Sequence, residues 1–379
     1  MENKLFVSDL VDGEPVRTVF LVADKRLGTT KTGNPFLTLE LADKSGSVTG
    51  RVWDDAEALS TRFDQEDFVR VEAHAETYKG QIQLNVRDLQ RVEPDQFDLA
   101  DFVPASDFDR DAMLDQLKAL VSREVKSAEM LRFLDTLFDQ TQLIEQFKLA
   151  PAAKGNHHAY LGGLLEHTLS MARLGSMLSR HYAHYYPGLL NQDLVIAGCI
   201  LHDIGKCFEL SYGRSFDYTD EGRLVGHIVQ GAELVTSIAQ KVSPALPASM
   251  LTQLKHLILS HHGKKEFGSP VLPRTPEALL LHEIDMIDSR MAMCTEAIEE
   301  HRGGSDADKP WTGYQRLFQG NLWVGDEPST KWARVHCPAE DELEGPGALL
   351  TGAETASAPA KRSAKESRES EETLDLFSK

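Results

Sequence analysis

The sequence predicts a multidomain chain, an all-β barrel followed by an all-α helical bundle and a disordered C-terminal tail, and three observations carry that prediction. Apolar and polar residues alternate between about Pro15 and Val92, the period of strands with one face in a core. From Met113 to about residue 302 apolar residues recur at spacings of three and four, the period of amphipathic helices. Beyond Pro338 the chain is Glu, Ser, Ala, Lys and Gly with few apolar residues, too little to bury for an ordered core. With 379 residues the chain has room for two domains and a tail, at roughly 150 residues per domain. These shifts divide it into a barrel over 1–95, a linker and connecting helices over 96–148, a bundle over 149–336 and a tail over 337–379.

In the barrel, strands are expected at 16–23, 36–42, 47–53, 68–76 and 81–92, with the clearest alternation in Leu37/Leu39/Leu41, Val69/Val71/Ala73 and Ile82/Leu84/Val86. Asp43-Lys44-Ser45-Gly46 and Tyr78-Lys79-Gly80 read as turns, and residues 54–61 as a short helix. Five strands with a helix between the third and fourth is the order of an OB-fold, whose second and third strands and flanking loops bind single-stranded nucleic acid. Phe36, Trp53 and Tyr78 are candidates to stack bases, with Lys25, Arg26, Lys31 and Lys79 in loops for phosphates. The plainer alternative places these aromatics at the core rim and leaves the lysines solvated.

Charge and cysteines narrow the class. A net charge of -19 repels polyanions over most of the surface, so nucleic-acid binding has to be local. Four widely spaced cysteines without a CxxC pair suggest neither a disulfide framework nor a thiolate zinc site. With no leader pattern and no apolar run of about 18 residues, the chain reads as soluble and cytoplasmic.

Acidic, proline-containing sequence from Glu93 to Asp107 reads as a linker, and two amphipathic helices follow, around Met113–Val121 and Met130–Phe138. A helix from about Leu161 carries His167; an apolar helix over 193–201 delivers His202 and Asp203 at its end; His227 opens another. Leu251–Leu259 leads into His261-His262-Gly263, with glycine as the stop. Thr275-Pro276-Glu277 starts a helix that presents His282, Asp285 and Asp288 at spacings of three. Trp311, Tyr314, Phe318 and Trp323 are expected to cover part of the helical core.

The bundle is organised around His202-Asp203-Ile204-Gly205-Lys206, where an imidazole and a carboxylate stand side by side. A lone histidine on an apolar helix face is ordinarily a satisfied core residue. Helix after helix presenting His167, His202, Asp203, His227, His261, His262 and Asp285 is not explained by packing, and such sets converge on metals inside bundles. Imidazole and carboxylate without thiolate suit manganese, iron, cobalt or zinc.

These motifs resemble the HD-domain metal-dependent phosphohydrolases: a histidine (His167), an HD pair (His202-Asp203) and a later aspartate (Asp285), with His227 and His261-His262 matching the larger ligand set of two-metal members. By that resemblance His167, His202 and Asp285 hold one ion, His227, His261 and His262 the other, and Asp203 bridges them. The chain is similar in particular, over about 15–335, to the YhaM-type 3′-to-5′ exoribonucleases, in Asn156-His157-His158-Ala159-Tyr160, Gly163-Leu164-Leu165-Glu166-His167-Thr168 and His261-His262-Gly263. The resemblance implies two divalent ions, manganese first and cobalt, iron or zinc after it, and hydrolysis of single-stranded RNA, and single-stranded DNA too, to nucleoside 5′-monophosphates by metal-activated water.

Asp203 and Lys206 are the catalytic candidates, Lys206 either neutralising a phosphate oxygen or pairing with Glu166 or Asp288. Lys154, His157 and His158 are candidate contacts to the nucleic-acid backbone. In the tail, Leu374, Leu376 and Phe377 of Thr373–Phe377 resemble the bacterial sliding-clamp binding pentapeptide, with Thr373 in place of its usual glutamine. Two rival readings share these features. A phosphodiesterase of small nucleotides or cyclic dinucleotides would use the same metals, but Lys264–Pro270 lacks the Gly-Tyr-Pro of the cyclic dinucleotide enzymes; a non-enzymatic OB-fold binding protein would be expected to have lost ligands.

Overall fold

The computed structural model describes residues 4–325 apart from 31, 94–95, 156–157, 212–216 and 305. Lys31, His157 and the tail residues Leu374, Leu376 and Phe377 lie outside the described residues.

Strands β1 (Pro15–Thr29), β2 (Pro35–Asp43), β3 (Gly46–Val52), β4 (Phe68–Tyr78) and β5 (Gln81–Arg91) close in the order β1-β2-β3-β5-β4, with helix α1 (Ala56–Ser60) between β3 and β4. Only β3 and β5 pair in parallel, as the crossover through α1 and β4 requires. This is the OB-fold barrel the strand order predicts. Alternation fills it: Phe20, Val22, Leu37, Leu39, Leu41, Val69, Val71, Leu84 and Val86 are buried inward.

β1 runs six residues past the expected Ala23. A bulge between Val22 and Asp24 breaks the apolar alternation, yet backbone pairing with β2 continues to Thr29 opposite Pro35. Lys25 and Arg26 therefore lie on a strand, not in a loop. The acidic segment after β5 is more than a tether. Phe97 and Phe102 pack on Phe68 with ring centroids 4.6 and 5.0 Å away, and the Lys44 N–H donates to the Asp101 carbonyl at 2.8 Å.

Helices α2 (Arg110–Glu124) and α3 (Ala128–Phe138) are the two expected, and α4 (Thr141–Leu149), burying Leu143, Ile144 and Phe147, adds a third. The bundle proper consists of α5 (Gly163–Tyr185), α6 (Gln192–Leu201), α7 (Lys206–Glu209), α8 (Asp220–Val225), α9 (His227–Lys241), α10 (Ala248–Ser260) and α11 (Pro276–Gly303), with a two-strand ribbon of β6 (Leu210–Ser211) and β7 (Asp217–Tyr218). α6 is buried from Asp193 to Leu201 and sits at the centre, packing on α5, α10 and α11. The Asn191 side chain caps it, accepting from the Asp193 and Leu194 N–H groups, a contact worth about 1 kcal/mol. Asp193 in turn accepts from the Lys126 and Ser127 N–H groups at 2.9 and 2.7 Å and so seats α3.

The aromatic stretch after α11 does not cover the core as expected. Trp311 and Trp323 stack edge to face 5.0 Å apart in a small hairpin and stay half exposed, as does Tyr314. Thr312 alone of that strand is deeply buried, so the hairpin packs through its threonine. Among the described residues no helix is long and apolar enough to cross a membrane.

Candidate metal centre

The fold brings the seven histidines and aspartates from five stretches of chain to one place. α5 carries His167 on its buried face, α6 ends in His202 and Asp203, α9 opens with His227, α10 runs into His261 and His262, and α11 carries Asp285. Two glycines let these stretches approach. A Cβ at Gly205 would lie 2.0 Å from the His227 carbonyl oxygen, so only glycine there allows the HD turn to touch the start of α9. At Gly263, with φ +73°, a Cβ would strike the His282 ring at 2.3 Å, and His282 Nδ1 donates to the His261 carbonyl at 2.8 Å.

Asp203 stands between two groups of donors. Its Oδ1 lies 3.4 Å from His227 Nε2 and 3.5 Å from His261 Nε2, while its Oδ2 lies 3.2 Å from His202 Nε2. His262 completes the first group, and His167, with Nε2 3.3 Å from His202 Nε2 and 3.5 Å from Asp285 Oδ1, completes the second. Each oxygen of one carboxylate thus serves its own set of imidazoles.

Orientation is fixed from behind. His202, His261 and His262 donate through Nδ1 to the carbonyls of Cys199, Ile258 and Phe267 at 3.0, 2.7 and 2.6 Å. His227 does so to Glu209 at 2.9 Å and His167 to Asp288 at 2.7 Å. A carbonyl only accepts, so Nδ1 carries the proton and Nε2 presents its lone pair to the centre. Such partners behind ligating histidines hold tautomer and ring angle.

Electrostatics favours a cation here. Burial works against ionising Asp203, but Lys206, His202 and His261 outweigh it and hold its carboxyl well below the usual range. Asp285 and Asp288 are likewise held low against burial, chiefly by His167 for Asp285 and by His158 and His167 for Asp288. Burial and the neighbouring His261 push His262 down to about 4, and His261 is also lowered, so both are neutral and able to ligate at neutral pH. His167 differs. Burial opposes its charge, yet Asp285 and Asp288 push it up to about 10, so an arriving cation displaces its proton.

The residues fit a metal pair. Asp203 Oδ1, His227 Nε2 and His261 Nε2 are buried with no hydrogen-bond partner although they face one another, an arrangement costly for polar atoms and natural for ligands. Cys199 and Cys207 stand nearby, but burial raises both thiols far above neutrality, leaving a nitrogen and oxygen donor set.

Other expected residues are placed differently. Lys206 pairs with neither Glu166 nor Asp288: its ammonium donates to Asp203 Oδ2 at 2.7 Å and to the Ala152 carbonyl at 2.6 Å, so it braces the shared carboxylate from a buried position. His158 is not a surface contact. It is buried, with Nε2 3.5 Å from Asp288 and Nδ1 2.7 Å from the Tyr160 hydroxyl, because the loop before α5 folds inward over His167. Lys154 pairs with Asp217 at 2.8 Å on the surface.

On the barrel, Lys25 is bound by the Ser60 carbonyl at 2.8 Å and lies over the Phe63 ring, which makes it an anchor for the segment after α1. Arg26 pairs with Asp24 at 2.7 Å. Phe36 and Trp53 do sit together, 5.4 Å apart with Trp53 about half exposed, and Tyr78 is exposed with Lys79 over its ring at 5.4 Å. Two residues of the centre had no assigned role in the sequence. Asp288 was visible as the i+3 neighbour of Asp285, whereas Glu209 carries no signal, since its contact with His227 depends on the turn after α7.

The HD domain family matches residues 164–290, and the family described as OB-fold nucleic acid binding domain matches residues 19–92. Among curated relatives, the 3′-5′ exoribonuclease YhaM of Listeria innocua serovar 6a is 35% identical over 319 residues, 84% of this chain and 98% of the relative. Its namesake from Bacillus subtilis strain 168 is 34% identical over 307 residues, 81% of this chain and 95% of the relative. That from Oceanobacillus iheyensis is 33% identical over 81% of this chain and 94% of its own length. With the OB-fold barrel, the HD bundle and near full-length similarity in hand, the chain belongs to the family of YhaM 3′-5′ exoribonucleases.

Proposed function

We propose that the chain is a metal-dependent 3′-to-5′ exonuclease of single-stranded RNA, able to take single-stranded DNA, in which the barrel holds the strand and the bundle cleaves it to nucleoside 5′-monophosphates. The observation that carries this reading is the Asp203 carboxylate, each oxygen facing a separate set of inward-pointing imidazole nitrogens. His167, His202 and Asp285 would hold one ion, His227, His261 and His262 the other, with Asp203 shared. Two divalent ions held there would supply Lewis acidity, for a water nucleophilic near neutral pH and for charge gathering on a phosphate.

The chain's own residues do the rest. Asp288, Glu209 and three backbone carbonyls keep every imidazole at one angle, so that no reorganisation is needed when charge develops. Lys206 holds Asp203 ionised and fixed. Phe36, Trp53 and Tyr78 offer faces on which bases stack without regard to sequence. By the family resemblance manganese heads the expected ions, with cobalt, iron or zinc after it, and nitrogen and oxygen donors without thiolate admit all four. Free thiols at Cys199, Cys207 and Cys294 support a cytoplasmic setting.

The test is a 5′-labelled single strand, RNA and DNA in parallel, incubated with metal-stripped chain to which manganese, cobalt, zinc or magnesium is returned. A ladder that shortens from the 3′ end only when metal is present is the expected result. Uncut strands with every ion, together with hydrolysis of mononucleotides or cyclic dinucleotides, would move the assignment to a small-nucleotide phosphodiesterase.

A further inference from the structure

Beside the metal centre lies a second cavity that the mechanism above leaves unused. Its volume is about 460 Å³, within the range of ligand sites, roughly 300–1,000 Å³. His256, Lys265 and Arg274 stand on its rim and Pro270, Val271 and Leu272 form its apolar wall. No carboxylate among the described residues lines it. In a chain of net charge -19 such a place is unusual, and neither Lys265 nor Arg274 has a carboxylate partner among the described residues. His256 Nε2 accepts the Arg274 N–H at 3.0 Å, which pins the base of that arginine to α10.

The cavity is joined to the metal centre through a single turn. Lys265 begins the 3₁₀ turn Lys265–Phe267, and the carbonyl that ends it, that of Phe267, orients His262 at 2.6 Å. His256 precedes His261 by five residues on α10, about 7.5 Å along the helix axis. On that same turn the Phe267 ring is more than half exposed, with the Lys264 ammonium 5.5 Å from its centroid. Cations on a rim, an apolar wall and an exposed ring are what a nucleotide presents partners for: phosphate, ribose and base.

We propose that this cavity is a strand subsite, taking a nucleotide further to the 5′ side than the one adjoining the bond being cut. Lys265 and Arg274 engage its phosphates, Pro270, Val271 and Leu272 pack its sugar or base, and Phe267 stacks a base that a dinucleotide is too short to supply. The assignment rests on the exonuclease reading and gives it a substrate requirement. Strands that reach the cavity bind better than a dinucleotide, which ends at the metal centre.

The experiment uses the full chain with manganese and compares it with Lys265→Gln/Arg274→Gln and with Phe267→Ala. For each, kcat/KM is measured on a single-stranded RNA long enough to span both sites and on a dinucleotide, over a series of salt concentrations. In the double variant the ratio of long strand to dinucleotide should fall roughly tenfold, and the salt dependence for the long strand should become shallower by about 0.7 per lost phosphate contact. Phe267→Ala should lower the same ratio by roughly fivefold or more, with the salt slope kept. An unchanged ratio and slope would overturn the subsite, as would equal losses on both substrates, which would mean that the turn acts only by positioning His262. If the unaltered chain shortens neither substrate, the exonuclease reading falls and the subsite falls with it.

Discussion

The barrel and the bundle solve opposite problems with the same chain. The barrel keeps an apolar interior and exposes its candidate contacts Trp53 and Tyr78, with Phe36 half-buried beside Trp53. The bundle does the reverse with its candidate residues, burying His167, His202, Asp203 and His261 at its centre. A barrel can therefore lose a contact residue and remain folded, whereas the bundle's polar centre is part of its packing. Unpaired polar atoms there cost on the order of 1–3 kcal/mol each unless something fills the gap.

Substitutions can break or sharpen that contrast. The largest effect is expected from Asp203→Ala, which removes the carboxylate common to both sets of imidazoles. Metal-supported hydrolysis should fall by more than the roughly 100-fold that follows loss of an orienting partner, and a residual rate close to that of the unaltered chain would sink the shared-carboxylate assignment. Next is Asp288→Asn, whose Oδ2 holds His167. Metal affinity read by calorimetric titration should weaken by about 10- to 100-fold while strand binding by the barrel is kept.

On the other side of the contrast, Trp53→Ala should weaken single-strand affinity by roughly fivefold to 100-fold, the worth of one stacked base, without changing metal affinity. Equal affinity for strands would show that the barrel's exposed face is not the contact. The smallest effect tests a buried ionic joint of the barrel. Asp43 accepts the Val7 N–H at 2.9 Å and the Lys4 ammonium at 3.2 Å, tying the N-terminal segment to β2.

Burial would raise the Asp43 pKa, yet Ser45, Val7 and Lys4 outweigh it, and the carboxyl is held below its ordinary 3.8. A depressed carboxyl stabilises the fold above its unfolded value, and that contribution disappears as pH falls through the folded value. Asp43→Asn should therefore cost about 1–3 kcal/mol near neutrality and flatten the acid limb of the unfolding curve. A variant whose stability falls below pH 4 as steeply as that of the unaltered chain would rule this out.

Legibility followed the same divide. In the bundle, helical spacing set His167 and Asp285 on the helices where they lie and the HD pair at the end of α6, because helical residues leave a periodic trace. The orienting partners left none: Cys199, Ile258 and Phe267 contribute backbone carbonyls, which any residue has. Lys206 shows the limit from the other side, since a lysine three residues past an aspartate is compatible with a phosphate or with that aspartate, and only the turn geometry chooses. In the barrel, alternation gave the strands but not the bulge at Val22/Asp24, and with it went the placing of Lys25 and Arg26. His158 misled because a histidine in a loop before a helix reads as exposed until the loop is seen to fold inward.

The fixed Nδ1–H donors have a consequence for how the chain acquires its ions. With each ring already turned by its partner, ion uptake would need no rotation of the imidazoles, only loss of the proton that Asp285 and Asp288 hold on His167. Uptake of an ion would thus be coupled to release of that proton.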